Sequence, residues 1–419
     1  MSKSRRQKHK YISTLKPDPL LACLKRVFAI YFYITHICER AIYMKVMHLS
    51  DLHLGKRVNE FSMIDDQRYI LKQVMDIVIN DKADAVIIAG DVYDRQVPPV
   101  QAVELFDAFL TGLMNMNIPV LVISGNHDSA ERIAFGSDIM SAGHIYMSRA
   151  YDGKLQCVTL KDEYGPVNFY MLPFIKPSYV RPYFDEDIKD YNDAVRLVIQ
   201  NTEYDPGERN VIISHQFVTG AQTCQSEEIT VGGLDNVDAS AYAFFDYAAL
   251  GHIHGPQNMG DGIRYCGTLL KYSFSEINHK KSVTLVELGP KGEVNIELKP
   301  IKPLRDMREI KGTYMELTAR DFYRNLNTDD YYHIILTDED DIYDAASKLR
   351  VIYPNLMKIT YDNVRTRNNM NYDTQDERRD DMKPEDFLNE LYELQNGCSM
   401  NEEQMRYAKE LFEKVRENA

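Results

Sequence analysis

Between residues 46 and 254 the chain repeats one pattern five times: a short apolar run, then at once a small cluster of aspartate, histidine or asparagine. The runs are Val46–Leu49, Ala85–Ala89, Val120–Ile123, Val211–Ile213 and Ala248–Leu250. The clusters read Asp51-Leu52-His53, Gly90-Asp91-Val92-Tyr93-Asp94, Gly125-Asn126-His127-Asp128, Ser214-His215 and Gly251-His252-Ile253-His254, with Gly267-Thr268 beyond them. Runs of this length that are apolar throughout, rather than alternating, predict strands buried on both faces. Between them, Gln67–Asp81 carries Ile70, Leu71, Val74, Ile77 and Val78 at helical spacing. Val100–Asn115 does the same through Val103, Phe106, Leu110 and Leu113. Strands alternating with such helices constrain the chain to an α/β layered domain. In such sheets ligands gather beyond the carboxyl ends of the strands, which is where every cluster falls.

The cluster residues are hard oxygen and borderline nitrogen donors, suited to Mn, Fe or Zn. Asp51 and His53 alternate by one, so an extended segment turns both to the same side. Asp91 follows Ala-Gly, where the backbone can turn sharply, and its carboxylate has lone pairs enough to bridge two ions. Asn126 offers an amide oxygen; His215, His252 and His254 offer imidazole nitrogens. Any one of these could be a capping aspartate or a satisfied histidine. As a set they supply ligands for two adjacent divalent cations, an arrangement that cleaves phosphate esters. His127, beside the ligands, is expected to protonate the leaving oxygen or stabilise the transition state, and Asp128 to fix its tautomer. Asp94 either orients a ligand or caps its loop. Lys56, Arg57 and Arg95 read as solvated surface charges, and His48, His144, His279 and His333 as ordinary packed or surface histidines.

The formal net charge of −14 sets this chain's surface against nucleic acid as a whole. An enzyme acting on DNA with this balance needs a local basic path, bridging metal ions or a basic partner. The cysteines (Cys23, Cys38, Cys157, Cys224, Cys266 and Cys398) are scattered and contain no CxxC pair. They fit a reducing cytoplasm and exclude a disulfide scaffold. Near the start, a basic stretch (Lys3, Arg5, Arg6, Lys8 and Lys10) precedes apolar residues whose longest uncharged piece is Val27–Cys38. That is short of the roughly 20 residues a spanning helix needs, so no membrane association is expected. Met44 begins a strand directly and is the expected natural start. Residues 1–43 are then a disordered arm or lie outside the natural protein.

Past Lys281 the texture changes. Ser282–Leu288 and Val294–Leu298 predict a hairpin around Gly289-Pro290-Lys291-Gly292. Thr313–Thr318, Tyr331–Leu336 and an Ile342–Tyr353 helix predict a small α+β module ending near Asp362. Asn363–Met382 is polar and reads as a linker. Pro384 opens a helix carrying Phe387, Leu391 and Leu394. Ser399 and Glu402 have capping-box spacing for a last helix with Met405, Ala408, Phe412 and Val415. Two short amphipathic helices beyond a linker either fold back or dock on another protein, and docking is the expectation.

Taken in order, D-x-H, G-D-x-x-D, G-N-H-D, H and G-H-x-H resemble the calcineurin-like metallophosphoesterase superfamily over about residues 44–270. Narrower stretches, His48-Leu49-Ser50-Asp51-Leu52-His53-Leu54-Gly55-Lys56, Gly125-Asn126-His127-Asp128-Ser129 and Lys271-Tyr272-Ser273-Phe274-Ser275-Glu276, resemble bacterial nuclease subunits that work beside coiled-coil ATPases. The resemblance implies a metallophosphoesterase β-sandwich flanked by helices over 44–300, a small α+β capping domain over 301–365, a linker over 366–383, and a helical partner-binding region over 384–419. It implies one metal on Asp51, His53, Asp91 and His254 and another on Asp91, Asn126, His215 and His252, with His127 catalytic. It further implies two divalent ions, expected to be Mn2+, that activate a bridging hydroxide. The activities implied are double-strand exonuclease and single-strand endonuclease, in a homodimer bound to the ATPase as a heterotetramer and acting on DNA in repair, recombination and replication. Archaeal and eukaryotic relatives carry a histidine at the position of Asp94, so no role transfers there. The alternative on the same metal site is a nucleotide or cyclic-nucleotide phosphodiesterase or phosphatase, which leaves residues 300–419 without a use; a metal-free scaffold would leave the ligands without one.

Overall fold

The computed structural model describes residues 43–227, 236–364, 366 and 384–417. The extension before Tyr43 and nearly all of the expected linker lie outside the described residues. Two six-stranded sheets form the centre. The first runs Val294–Pro300, Ser282–Leu288, Met44–Leu49, Ala85–Ala89, Val120–Ile123, Ile145–Met147, parallel from Met44–Leu49 onward and antiparallel through the hairpin. The second runs Gln257–Gly260, Ile263–Tyr265, Tyr247–Gly251, Arg209–His215, Gly165–Leu172, Gln156–Asp162, with antiparallel pairs at both edges.

The apolar runs have two buried faces because each sheet is covered twice. Along Ala85–Ala89, Ala85, Ile87 and Ala89 enter the layer between the sheets, where they meet Phe169, Met171, Val211 and Ile213. Val86 and Ile88 point the other way, onto helices Ile64–Asp81 and Val100–Asn115. Helix Tyr191–Gln200 covers the outer face of the second sheet through Ala194, Val195, Val198 and Ile199. At roughly 1.5–3 kcal/mol per fully buried large side chain, the layer between the sheets fixes their stacking before any ligand binds. The result is a helix–sheet–sheet–helix sandwich, the architecture expected.

The parallel strands of both sheets release their chain at one edge. Asp51 and His53 follow Met44–Leu49, Asp91 follows Ala85–Ala89, and Asn126 follows Val120–Ile123. From the second sheet come His215, the last residue of its strand, and His252 and His254 beyond Tyr247–Gly251.

A three-stranded parallel sheet (Met307–Gly312, Tyr331–Leu336, Leu356–Tyr361) forms the smaller module. Thr313–Thr318 is a helical turn, Tyr314–Leu317, closed by a capping box between Thr313 and Glu316. The helix expected over Ile342–Tyr353 is confined to Ala345–Arg350. The module docks on Ile64–Asp81: Asp66 accepts from Arg305 at 2.7 Å and from the Tyr331 hydroxyl at 2.8 Å. The terminal helices, Pro384–Asn396 and Glu402–Glu417, are joined through Gly397 in the left-handed region. The expected Ser399–Glu402 box is not the cap. Ser399 donates back to Glu393 at 2.9 Å, while Asn401 and Gln404 exchange side-chain-to-backbone bonds at 2.9 Å. Asn401 lies one residue before the helix, the geometry a cap requires, and Ser399 lies too far back.

Candidate metal centre

All seven expected ligands converge. His53 Nε2 lies 3.1 Å from His254 Nε2 and 3.8 Å from Asp91 Oδ2. His215 Nε2 lies 3.3 Å from Asp91 Oδ2 and 3.0 Å from Asn126 Oδ1, and His252 Nδ1 is 3.0 Å from the same Asn126 oxygen. Asp51 lies within a ligand's reach of both the His254 and the His215 groups. Asp51, His53, Asp91, His215, His252 and His254 are all buried.

The protonation pattern shows what such a cluster requires. His215 Nδ1 donates to the Ala89 carbonyl at 2.8 Å, so its Nε2 carries a lone pair. That lone pair faces two further acceptors, Asn126 Oδ1 and Asp91 Oδ2. Ser226 Oγ donates to Glu276 at 2.6 Å and therefore accepts from His254 Nδ1 at 2.7 Å, leaving the His254 Nε2 lone pair to face His53 Nε2. A His215 Nε2 lone pair opposed at 3.0 Å and 3.3 Å to the Asn126 and Asp91 oxygens is repelled unless a cation stands among them, so the donor set fits divalent metal ions. Without metal, protons take that place. Burial opposes ionisation of both His215 and Asp91, but their mutual attraction wins, raising His215 to about 9 and holding Asp91 far below the carboxylate range. Burial pushes His53 well down, and burial with the charge of His215 pushes His252 down to about 3. Burial also raises Asp51, with the Asp91 charge adding to it.

The backbone is bent to make this arrangement. Asp51 (φ 51°), His53 (φ 44°), Asp91 (φ 50°) and His252 (φ 101°) all hold positive φ, at about 1–3 kcal/mol each. The strain is held by cross-links between the loops. Asp51 N–H donates to Gly90 O and His53 N–H to Asp91 O, both at 3.0 Å, and His252 N–H donates to the Asp51 carboxylate at 3.0 Å. The glycine before Asn126 and the one before His252 are there for room. A Cβ on Gly125 would lie 2.1 Å from Asp91 Oδ1, and one on Gly251 would lie 1.9 Å from the Ala89 carbonyl.

His127 sits beside this centre, its Nε2 3.9 Å from Asp91 Oδ2 and its Nδ1 3.1 Å from the Asp94 carbonyl. The expectation that Asp128 fixes the His127 tautomer does not hold in this geometry. The Asp128 carboxylate accepts instead from the backbone N–H groups of Val92, Tyr93 and Gly125, each at 3.0 Å. It ties the Asp91 loop to the Asn126 loop, because three buried donors there have no other acceptor. Burial, with the neighbouring Asp91 charge, raises its carboxyl to about 6. Tautomer control belongs to the Asp94 main chain, while the Asp94 carboxylate pairs with Lys56 at 2.6 Å. Lys56 is therefore a partnered residue, not the solvated charge expected; Arg95 is exposed as expected. His48 is packed, bonded to the Tyr247 hydroxyl at 2.9 Å, and His333 lies between Glu309 and Thr360.

Several supporting residues escaped the sequence reading. Glu276 is fully buried and accepts from Ser226, from Tyr272 N–H at 3.1 Å and from Lys281 Nζ at 2.5 Å. Burial opposes its charge, but the neighbouring His254 imidazole, 3.7 Å away behind Ser226, and the Lys281 charge outweigh it, so the carboxyl is lowered. Lys281 also donates to the His254 carbonyl at 3.0 Å and to Thr268 at 2.6 Å, giving the Gly267-Thr268 pair its role behind His254. Gln67, on helix Ile64–Asp81, donates to the His53 carbonyl at 2.7 Å. Only the sequence neighbourhood Tyr272-Ser273-Phe274-Ser275-Glu276 hinted at any of these.

Residues 44–256 match the calcineurin-like phosphoesterase family, and residues 303–396 match a family described as the type 5 capsule protein repressor C-terminal domain. The chain belongs to the calcineurin-like phosphoesterases and is a metal-dependent phosphodiesterase. It is 33% identical over 323 residues to the SbcD component of the nuclease SbcCD of Staphylococcus epidermidis, covering 76% of this chain and 85% of that one. Within the family, its place is among the SbcD nuclease subunits. Similar solved structures include TT1561 of Thermus thermophilus (10% identity, 61% of this chain and 99% of that one, TM-score 0.35). A dimetal phosphatase from Danio rerio is another (12% identity, 63% and 98%, TM-score 0.35). At these scores neither likeness bears on the assignment. Among the described residues, no helix is long and apolar enough to cross a membrane.

Proposed function

We propose that the chain is the Mn2+-dependent nuclease subunit of a two-component enzyme, an exonuclease on duplex DNA and an endonuclease on single strands. Its partner is an SbcC-type coiled-coil ATPase, and two copies of each make a heterotetramer serving DNA repair and recombination. The observation that carries this reading is the set of opposed lone pairs at the strand ends of both sheets. Asp51, His53, Asp91 and His254 would hold one ion, and Asp91, Asn126, His215 and His252 the other. Ions held there supply a water of lowered pKa as nucleophile and neutralise charge on the phosphoryl oxygens.

The protein's own groups do the rest. Asp128 keeps the Asp91 and Asn126 loops at a fixed separation. Glu276, through Ser226, holds the proton on His254 Nδ1. His127, bonded through Nδ1 to the Asp94 carbonyl, presents Nε2–H when protonated and gives that proton to the departing sugar oxygen, remaining a neutral Nδ1–H tautomer. We assign residues 44–300 to the nuclease domain, 301–365 to a capping domain, 366–383 to a linker and 384–419 to partner binding, where Tyr407 and Leu411 stand exposed. A DNA-clamping partner supplies the positive charge that a chain of net charge −14 lacks.

The test is cleavage of end-labelled linear duplex and of circular single strands in Mn2+ or Mg2+, with and without the ATPase. Mn2+-dependent cleavage of both DNAs supports the reading. Hydrolysis of cyclic nucleotides, with neither DNA cut even with the partner present, would establish the alternative instead.

A further inference from the structure

Beside Asn126 the second sheet's edge opens into a cavity of about 370 Å³, lined by Asn126, Tyr151, Phe174, Lys176, Tyr179 and Tyr183 among others. Its volume lies within the roughly 300–1,000 Å³ of small-molecule sites. We infer that this cavity is a nucleotide subsite, in which an unpaired base next to the scissile phosphate stacks on the tyrosines. The inference rests on the phosphodiesterase reading above and adds to it the form of the substrate: a base out of its helical stack.

The segment that carries Phe174, Tyr179 and Tyr183 leaves the carboxyl end of Gly165–Leu172, which runs parallel to Arg209–His215 and so ends at the same edge as the candidate ligands. It is tied to them directly, since Phe174 N–H donates to the Ser124 carbonyl at 2.9 Å, two residues before Asn126. The Phe174 ring meets His215 edge-on at 6.3 Å, and Lys176 Nζ lies 5.9 Å from the Phe174 centroid. Tyr183 is built as a platform. Tyr151 meets it edge-on at 5.6 Å, and a Cβ on Gly153 would lie 2.9 Å from its ring, so only a glycine leaves that ring its place. Yet Tyr183 and Tyr179 remain 47% and 49% exposed, leaving ring surface open for a base.

Chemistry favours a nucleobase as the occupant. A phosphate at the metal ions fixes the adjoining sugar and base within reach of the cavity that Asn126 helps to line. Aromatic faces accept any base, so such a subsite binds by stacking whatever the sequence. Stacking also supplies affinity that does not depend on positive charge, and an acidic chain has that need. Beyond Tyr151 a second hollow of about 400 Å³ shares Ala150, Tyr151 and Pro173 and holds Lys154 and Arg149, the latter paired with Asp138.

The test compares two p-nitrophenyl diesters on the full chain in Mn2+: thymidine 5′-p-nitrophenyl phosphate, which carries a base, and methyl p-nitrophenyl phosphate, which does not. The readout is the ratio of their kcat/KM values. Wild type is expected to favour the thymidine ester, and Tyr183→Ala to reduce that ratio by roughly 5- to 150-fold, the range for loss of one base–aromatic stack. Tyr183→Phe keeps the ring and should keep the ratio; Tyr179→Ala serves as an independent second variant. A wild-type ratio near one, or a ratio unmoved by both alanine variants, overturns the subsite while leaving the phosphodiesterase intact. Hydrolysis of neither ester overturns the phosphodiesterase reading and the subsite with it.

Discussion

Replacing Glu276 with glutamine should weaken metal binding from a position that touches no metal. The carboxylate lies behind His254, accepting from Ser226 at 2.6 Å, and Ser226 in turn accepts from His254 Nδ1 at 2.7 Å. The same carboxylate neutralises Lys281, whose side chain is 5% exposed. Two separate losses follow. Lys281 becomes an unpaired buried charge, and breaking such a pair from one side costs about 3–5 kcal/mol. Its remaining bonds to the His254 carbonyl and to Thr268 place the loss at the lower end, near 3 kcal/mol, which urea unfolding of the metal-free protein will read. Independently, His254 loses the negative charge that orients it and strengthens its donor nitrogen, a change that typically lowers metal affinity by about 10- to 100-fold. Calorimetric titration with Mn2+ reads that loss. The double variant Glu276→Gln with Lys281→Met separates the two, since an apolar replacement of a buried ion pair is often neutral. It should recover stability and not metal affinity. Wild-type affinity in Glu276→Gln, or full recovery of affinity in the double variant, would refute the reasoning.

His127→Ala should lower kcat by about 10²- to 10⁴-fold while calorimetry finds metal binding retained; parallel loss of both would make His127 structural. Asp128→Ala, which unties three backbone donors, should instead lower metal affinity and activity together, and an effect on kcat alone would restore a tautomer-fixing role. Gly125→Ala forces a methyl to within 2.1 Å of Asp91 Oδ1, so at least tenfold weaker Mn2+ binding is expected with the circular dichroism spectrum unchanged. Burial, helped by the Arg264 charge, lowers His48 to about 3. The unfolded chain thus binds the extra proton between pH 6.5 and 3, and stability present above 6.5 is lost as pH falls through that window. In metal-free protein this slope should reach up to about 1.4 kcal/mol per pH unit, and His48→Gln should flatten it; equal slopes would count against the assignment.

The convergence of the seven candidate donors was legible in the sequence because they follow the strand ends of both sheets at one edge. The strands that carry them were legible too, their two-sided burial leaving unbroken apolar runs such as Ala85–Ala89. The edge strands of the second sheet were not. Gln257–Gly260 is exposed along much of its length and carries no apolar run, and Gln156–Asp162 offers only the short alternation of Val158 and Leu160. Gly165–Leu172, buried from Val167 onward, and helix Tyr191–Gln200 were missed although their patterns are present. Asp128 misled because adjacency in sequence suggested a partner for His127. The side chain turns to three backbone donors that only the folded loops bring together. Glu276, Ser226 and Lys281 meet His254 across the loop after Tyr247–Gly251, and no local pattern encodes that meeting. The capping box was misplaced by two residues, where Ser399 and Asn401 both satisfy the spacing rule and only the backbone geometry decides.

The count of Mn2+ ions bound per chain tests the central claim most directly. Calorimetric titration of the metal-free protein, checked by elemental analysis after dialysis, should give two ions for the wild-type chain. Asp91→Ala, which removes the carboxylate shared by both donor sets, should give one at most, with cleavage lost. A single ion in the wild type, or two ions and full cleavage in Asp91→Ala, would contradict the account.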